Sequence, residues 1–203
     1  MPVLPYAGGV ERVWVWGSTA VVAIVLFVAC GGGGDGGSSK SASTSASEST
    51  ATSTTVPAED IDMQPAYFPN IRSLTLVGHH YVGNLLGHLD QALGVANSPD
   101  GGVYPVGTII QLVPQEAMVK RRAGFNAGSH DWEFFSLDTS PTGTKILTRG
   151  ATPVLNRFGQ DCLSCHSKAE TQFDMVCERD HGCDPIPLTD QLILALQQGD
   201  PRP

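Results

Sequence analysis

Composition breaks sharply near residue 57, and that break limits what the chain can fold into. From Gly31 to about Pro57 the sequence is mostly Gly, Ser, Thr and Ala, with almost no side chain to bury. Such a stretch cannot offset the entropy of ordering itself and reads as a flexible tether over residues 31–57. Residues 58–203 remain, the length of one ordinary domain. No internal repeat occurs in them. The formal charge of −8 argues against nucleic acid as a partner, because phosphate binding leaves a basic footprint.

Ahead of the tether lies a leader, residues 1–30. Val13 to Ala29 is an apolar run preceded by Arg12. It is short for a membrane span and long enough for the apolar part of an export signal. Its end, Leu26-Phe27-Val28-Ala29-Cys30, resembles the bacterial lipobox, in which the cysteine is lipidated and becomes the mature N-terminus. An uncleaved N-terminal anchor is the alternative. Both place the domain outside the cytoplasmic membrane, with a lipid anchor through Cys30 in the first case. Gly31 follows the cysteine, a hint of the outer membrane over the inner one where the source has both.

In the domain, Leu74, Val77, Tyr81, Leu85, Leu89 and Leu93 recur at three- and four-residue steps. That spacing predicts a helix over Ile71–Leu93, capped by Asn70 or Ser73 and ended by Gly94. Gly83 and Gly87 inside it predict a closely packed neighbour. His79, His80 and His88 lie on or near this segment, and lone histidines are more often ordinary surface or core residues than ligands. Val103–Val113, with Pro105 and Gly107, predicts an edge or bulged strand. Asp131–Leu137 alternates: Trp132, Phe134 and Ser136 face one way, and Glu133, Phe135 and Leu137 the other. With Pro141-Thr142-Gly143 as the turn and Lys145–Arg149 as the partner, it predicts an antiparallel hairpin. Thr189–Gln198 predicts a short helix with Leu192, Ile193 and Leu196 inward. The sum is an α+β domain, a mainly antiparallel sheet flanked by helices.

The chemistry concentrates in Cys162-Leu163-Ser164-Cys165-His166. Cys-x-x-Cys-His is the attachment motif of haem c. Two thiols at this spacing reach the two vinyl groups on one porphyrin edge. The adjoining histidine then supplies an axial nitrogen to the iron. Covalent attachment takes place outside the cytoplasm, so the leader and the motif agree. Two other readings use the same residues. Cys162, Cys165, Cys177 and Cys183 could make a zinc site, with His166 or His181 able to replace one thiolate. The motif could also be a redox dithiol, although the βαβ setting of thioredoxin-like motifs is missing. On the haem reading the cysteine count closes. Cys30 takes lipid, Cys162 and Cys165 take haem, and Cys177 with Cys183 forms a local disulfide in an oxidising compartment. Two free thiols are the alternative for that last pair.

The motif falls late in the chain, and Met175, the one Met after it, follows His166 too closely to swing to the opposite haem face. Taken together, Tyr104-Pro105-Val106-Gly107-Thr108, Ala117-Met118-Val119-Lys120-Arg121, Asp131-Trp132-Glu133-Phe134-Phe135, the haem motif, Asp174-Met175-Val176-Cys177-Glu178 and His181-Gly182-Cys183 resemble the cytochrome P-460 family. That family shares its fold with cytochrome c-prime-beta. The resemblance covers residues 65–203. It implies an antiparallel sheet with flanking helices, a c-type haem and an open distal side. It also implies an enzyme oxidising hydroxylamine or nitric oxide and passing electrons to a partner cytochrome, or a non-catalytic gas-binding or electron-transfer protein. A homodimer is compatible with it. The family's enzymes carry a lysine–porphyrin crosslink, for which Lys120 is the candidate by chain order; a solvent-exposed lysine is the alternative. Glu133 is the candidate distal acid or base, with Asp131 and Glu116 beside it. Trp132, Phe134 or Phe135 would instead cap a gas-binding site, or simply pack the core.

Overall fold

The computed structural model describes residues 59–203. The expected leader, the lipidated Cys30 and the tether lie outside the described residues. The domain is built on one six-stranded antiparallel sheet whose strand order follows the chain. Its strands are β1 (Thr75–Val77), β2 (His80–Asn84), β3 (Thr108–Gln111), β4 (Glu116–Lys120), β5 (Trp132–Ser140) and β6 (Gly143–Gly150). Three α-helices flank it: α1 (Leu89–Ala96), α2 (Cys162–His166) and α3 (Asp190–Gln198). The α+β expectation holds at this level.

The long β5–β6 hairpin forms as its turn chemistry predicts. Ser140 pairs with Gly143 across a turn at Pro141-Thr142, and Gly143 takes the positive φ (119°) that the turn demands. Alternation along β5 divides the core in two. Trp132 and Phe134 join Val82, Ile110, Met118, Val154 and Val176 on one face. Phe135 and Leu137 join Met63, Phe68, Ile109, Ala117 and Val119 on the other. Each of these large side chains contributes about 1.5–3 kcal/mol by leaving water.

Three expectations are corrected. No helix spans Ile71–Leu93: the segment holds a single 3-10 turn (Ile71–Ser73), the β1–β2 hairpin, and only the start of α1. Gly78, at φ 57°, reverses the chain between the strands, and a strand in register with β3 satisfies the backbone of β2 better than an isolated helix. Apolar spacing of three and four residues is here an accident of two strands and a helix in series. Gly83 does mark close packing, because a Cβ there would lie 2.7 Å from Leu74 and 3.1 Å from Ile109. Gly94 lies inside α1 rather than at its end. β3 is an inner strand, not an edge. Pro105 and Gly107 precede it, so the missing proline N–H falls outside the ladder. Finally, α3 forms with Thr189 as its cap, but Leu192 is exposed; Ile193 and Gln197 are its buried residues.

Candidate functional site

Asp161 starts the short helix α2 by accepting a hydrogen bond from the Ser164 N–H at 2.9 Å. One helical turn then carries Cys162, Cys165 and His166, and all three line a single cavity of about 550 Å³. That volume lies in the range of small-molecule and cofactor sites. The opposing lining comes from the sheet: Ile110, Met118 and Phe134 from β3, β4 and β5, and His80 from β2. The segment after the Cys177–Cys183 disulfide completes the rim.

His166 is oriented from behind. Its Nδ1 lies 2.7 Å from the Met175 carbonyl oxygen, so Nδ1 carries the proton and Nε2 keeps its lone pair. Burial depresses the pKa of His166; the Met175 carbonyl opposes this, and nearby His80 adds to it. A neutral imidazole with a hydrogen-bonded Nδ1 is the form that ligates metal. Phe134 packs on the ring, centroid to centroid 5.2 Å.

The carbonyl that holds His166 is itself held. Asp174 and Met175 both adopt left-handed backbone conformations, at φ 49° and 65°. Asp174 accepts hydrogen bonds from Lys120 Nζ at 2.9 and 2.7 Å and from the Tyr104 N–H at 3.0 Å. The Trp132 indole N–H donates to the Asp174 carbonyl at 2.7 Å. Two residues beyond Met175, Cys177 bonds to Cys183, as the cysteine count expects.

This arrangement decides where Lys120 goes. Its ammonium donates to both Asp174 oxygens and to the His130 carbonyl at 2.6 Å, which uses its three protons. The side chain is buried and does not line the cavity. Glu133 lies on the other face of β5, bracketed by Arg121 and Arg149. Arg149 donates to it at 2.6 and 3.0 Å, and Arg121 also donates to Asp60 through two nitrogens at 2.9 and 3.1 Å. The structure therefore brings Cys162, Cys165 and His166 together, and brings neither Lys120 nor Glu133 to them. Of the other residues considered, Glu116 and Phe134 line the cavity; Asp131, Trp132 and Phe135 do not. Burial raises the Glu116 pKa, and the Arg157 N–H and guanidinium oppose that.

Sequence reasoning passed over two residues. His80 was read as part of a helix, and its signal is visible only once β2 is a strand with alternating faces. Glu178 closes the Asp174–Glu178 segment but was given no role, yet its carboxylate accepts the His79 N–H at 2.9 Å and lies 3.5 Å from His80 Nδ1. His88 instead pairs with Glu59 at 2.9 Å, away from the cavity.

The alternative donor sets fare poorly. The disulfide removes two of the four thiolates that a zinc site would use, and His181 stacks on Phe173 with its Nδ1 at 2.6 Å from the Val176 carbonyl. Among the described residues, no three His, Cys, Asp or Glu side chains are grouped to hold a metal ion. Burial, with the charges of Glu116, Asp161 and Cys165, pushes the Cys162 thiol up to about 12. A redox dithiol needs the opposite, a depressed thiol. No protein-family model, curated protein or solved structure matches the chain.

Proposed function

We propose that the chain is an exported, lipid-anchored c-type haem protein of the cytochrome P-460 type that carries electrons to and from a partner cytochrome. The observation that supports it is that Cys162, Cys165 and His166 line one cavity, with the His166 Nδ1 held by the Met175 carbonyl and its Nε2 left without a partner. Cys162 and Cys165 would bond the porphyrin edge, and His166 would ligate the iron. When bound, the haem supplies an iron that gains and loses one electron at a time. The rest is done by the chain. Met175 fixes the His166 tautomer, Lys120 and Trp132 fix the Asp174–Met175 segment, and Ile110, Met118 and Phe134 keep water from the cavity wall. An electron carrier needs a rigid ligand set, and the Lys120–Asp174 ion pair behind the Met175 carbonyl supplies that rigidity.

One observation favours the second reading, oxidation of hydroxylamine or nitric oxide. Glu116 lines the cavity with its pKa raised by burial, which suits a residue that takes up protons as electrons leave. In that reading Glu116 takes the role that Glu133, paired with two arginines, cannot fill.

The test is the full chain produced in a bacterial periplasm with haem-maturation machinery. Its intact mass should rise by one haem that survives denaturation, and the double substitution Cys162→Ser, Cys165→Ser should abolish the increment. A folded chain without covalent haem overturns the proposal. Hydroxylamine turnover lost in Glu116→Gln would select the second reading.

A further inference from the structure

We propose that His80 is the second axial ligand, opposite His166, and that Glu178 orients it. The inference rests on the haem reading above and deepens it: the resemblance leaves the sixth position open, and these residues fill it.

His80 is 5% exposed, lines the cavity, and its Nε2 has no hydrogen-bond partner. A buried ring nitrogen without a partner is rare and costly, so it points to a missing ligand. Its other nitrogen identifies which kind. Nδ1 lies 3.5 Å from a Glu178 carboxylate oxygen. A carboxylate only accepts, so in the neutral ring the proton belongs on Nδ1 and Nε2 presents a lone pair. A buried, unpartnered lone pair at a cavity wall calls for an electron-pair acceptor, such as a metal. A histidine meant to donate a hydrogen bond to a bound gas molecule would carry its proton on the other nitrogen.

His166 is wired the same way, with Nδ1 on the Met175 carbonyl and Nε2 free. The cavity thus receives one imidazole from α2 and one from the sheet, both in the ligating tautomer, together with the two thiols. Ligating histidines commonly have a carboxylate or a carbonyl behind them; here each has one of the two.

Glu178 is built into position. Besides His80 it accepts the His79 N–H at 2.9 Å and meets the His79 ring at 2.6 Å. Gly78 leaves the space its carboxylate occupies, because a side chain there would collide with it. The β1–β2 turn is pinned in turn by Gln197 of α3, whose amide donates to the His79 carbonyl at 2.7 Å and the Leu112 carbonyl at 2.9 Å. Met118 is the competing ligand on the same wall. It packs in the apolar cluster and leaves no polar atom unpaired, so nothing requires it to bind iron.

The experiment is ferric electron paramagnetic resonance of the full haem-loaded chain, with carbon monoxide binding to the ferrous form. The parent should be low-spin in both oxidation states and bind no carbon monoxide. His80→Ala should keep its covalent haem, become high-spin and bind carbon monoxide stoichiometrically, and added imidazole should restore the low-spin signal. His80→Met guards against misfolding. It should stay low-spin and acquire the sulfur-to-iron charge-transfer band that the parent lacks. Glu178→Gln should leave the spin state unchanged and raise the reduction potential, because a weaker acceptor makes His80 a poorer donor to ferric iron. A high-spin parent overturns the assignment. So does a His80→Ala protein that stays low-spin, which would hand the position to Met118. A chain that carries no haem fails earlier, at the mass measurement, and overturns the haem reading itself.

Discussion

Two buried polar clusters sit on opposite faces of the same sheet, and they are finished differently. Behind β5, Glu133 meets Arg121 and Arg149, and Arg121 meets Asp60, so that each charge has its counter-charge. On the cavity face, His166 has Nδ1 on a carbonyl, His80 has Nδ1 3.5 Å from the Glu178 carboxylate, and neither Nε2 has a partner. A closed set of charges holds parts of the chain together. An incomplete set at a cavity wall is what the proposed haem would complete. Burial and charge alone would have ranked Glu133 above His80 as a functional residue; satisfaction reverses the order.

The largest effect tests the boundary between the clusters. Lys120 and Asp174 are both almost fully buried, and Lys120→Met leaves the carboxylate without its cation. Breaking such a pair costs about 3–5 kcal/mol. Because Asp174 precedes the carbonyl that holds His166, this variant should also broaden the spectrum of the loaded protein. Denaturant unfolding and the haem spectrum, taken together, check both halves. Loss of stability with an unaltered spectrum would separate Lys120 from the site.

Glu133→Gln tests the closed cluster. It takes the shared carboxylate from two guanidinium groups that keep Asp60 and Asp62, and Arg149 is about a third exposed, so about 3 kcal/mol is expected, at the low end for a broken buried pair. The haem spectrum and potential should stay at parent values. A shift in potential comparable to that of Glu178→Gln would erase the distinction between the two faces. Next in size is the disulfide. Cys177 and Cys183 are six positions apart, and a loop that short contributes about 2 kcal/mol on the chain-entropy model. Cys177→Ser with Cys183→Ser should lower the unfolding midpoint accordingly. It should also loosen Glu178, visible as heterogeneity in the low-spin signal.

How much of this was legible follows from the range of each signal. The Cys162–His166 motif, the Pro141-Thr142 turn and the Thr189 cap are local, and each stands where its chemistry puts it. Alternation in β5 was read correctly, including Glu133 facing away from Phe134. Which face carries the cavity is not contained in alternation, so Glu133 and Phe134 could not be ranked from it. The misread Ile71–Leu93 segment hid His80. On a helix His79 and His80 point in neighbouring directions, whereas on a hairpin only one of them enters the core, and His80 is the buried one. Its partner Glu178 comes from the far end of the domain, a pairing that only the tertiary fold creates. Lys120 was expected near the haem from its order along the chain, ahead of the Trp132 strand. Asp174, also remote in sequence, takes it instead.

The smallest prediction concerns acid. Burial works to raise the Asp60 pKa, but hydrogen bonds from Arg121 and from the Ile61 and Arg122 backbone outweigh it, and the folded value lies below the ordinary 3.8. A depressed carboxylate stabilises the fold above its unfolded pKa, and that contribution disappears as pH falls from 3.8 through the folded value. Asp60→Asn should therefore lower stability at neutral pH and flatten the acid limb of the stability profile. Unfolding measured from about pH 6 down to about pH 3 shows the slope. Asp60 is partly exposed, so screening keeps the effect at a fraction of that of Glu133→Gln. The comparison sharpens if the flattening leaves the haem signal unchanged. Asp60 would then belong wholly to the closed cluster, and acid would attack the rear of the sheet without touching the histidines in front. A haem signal that shifted along with the acid limb would instead join the two faces into one network, and the free nitrogens of His80 and His166 would lose their special standing.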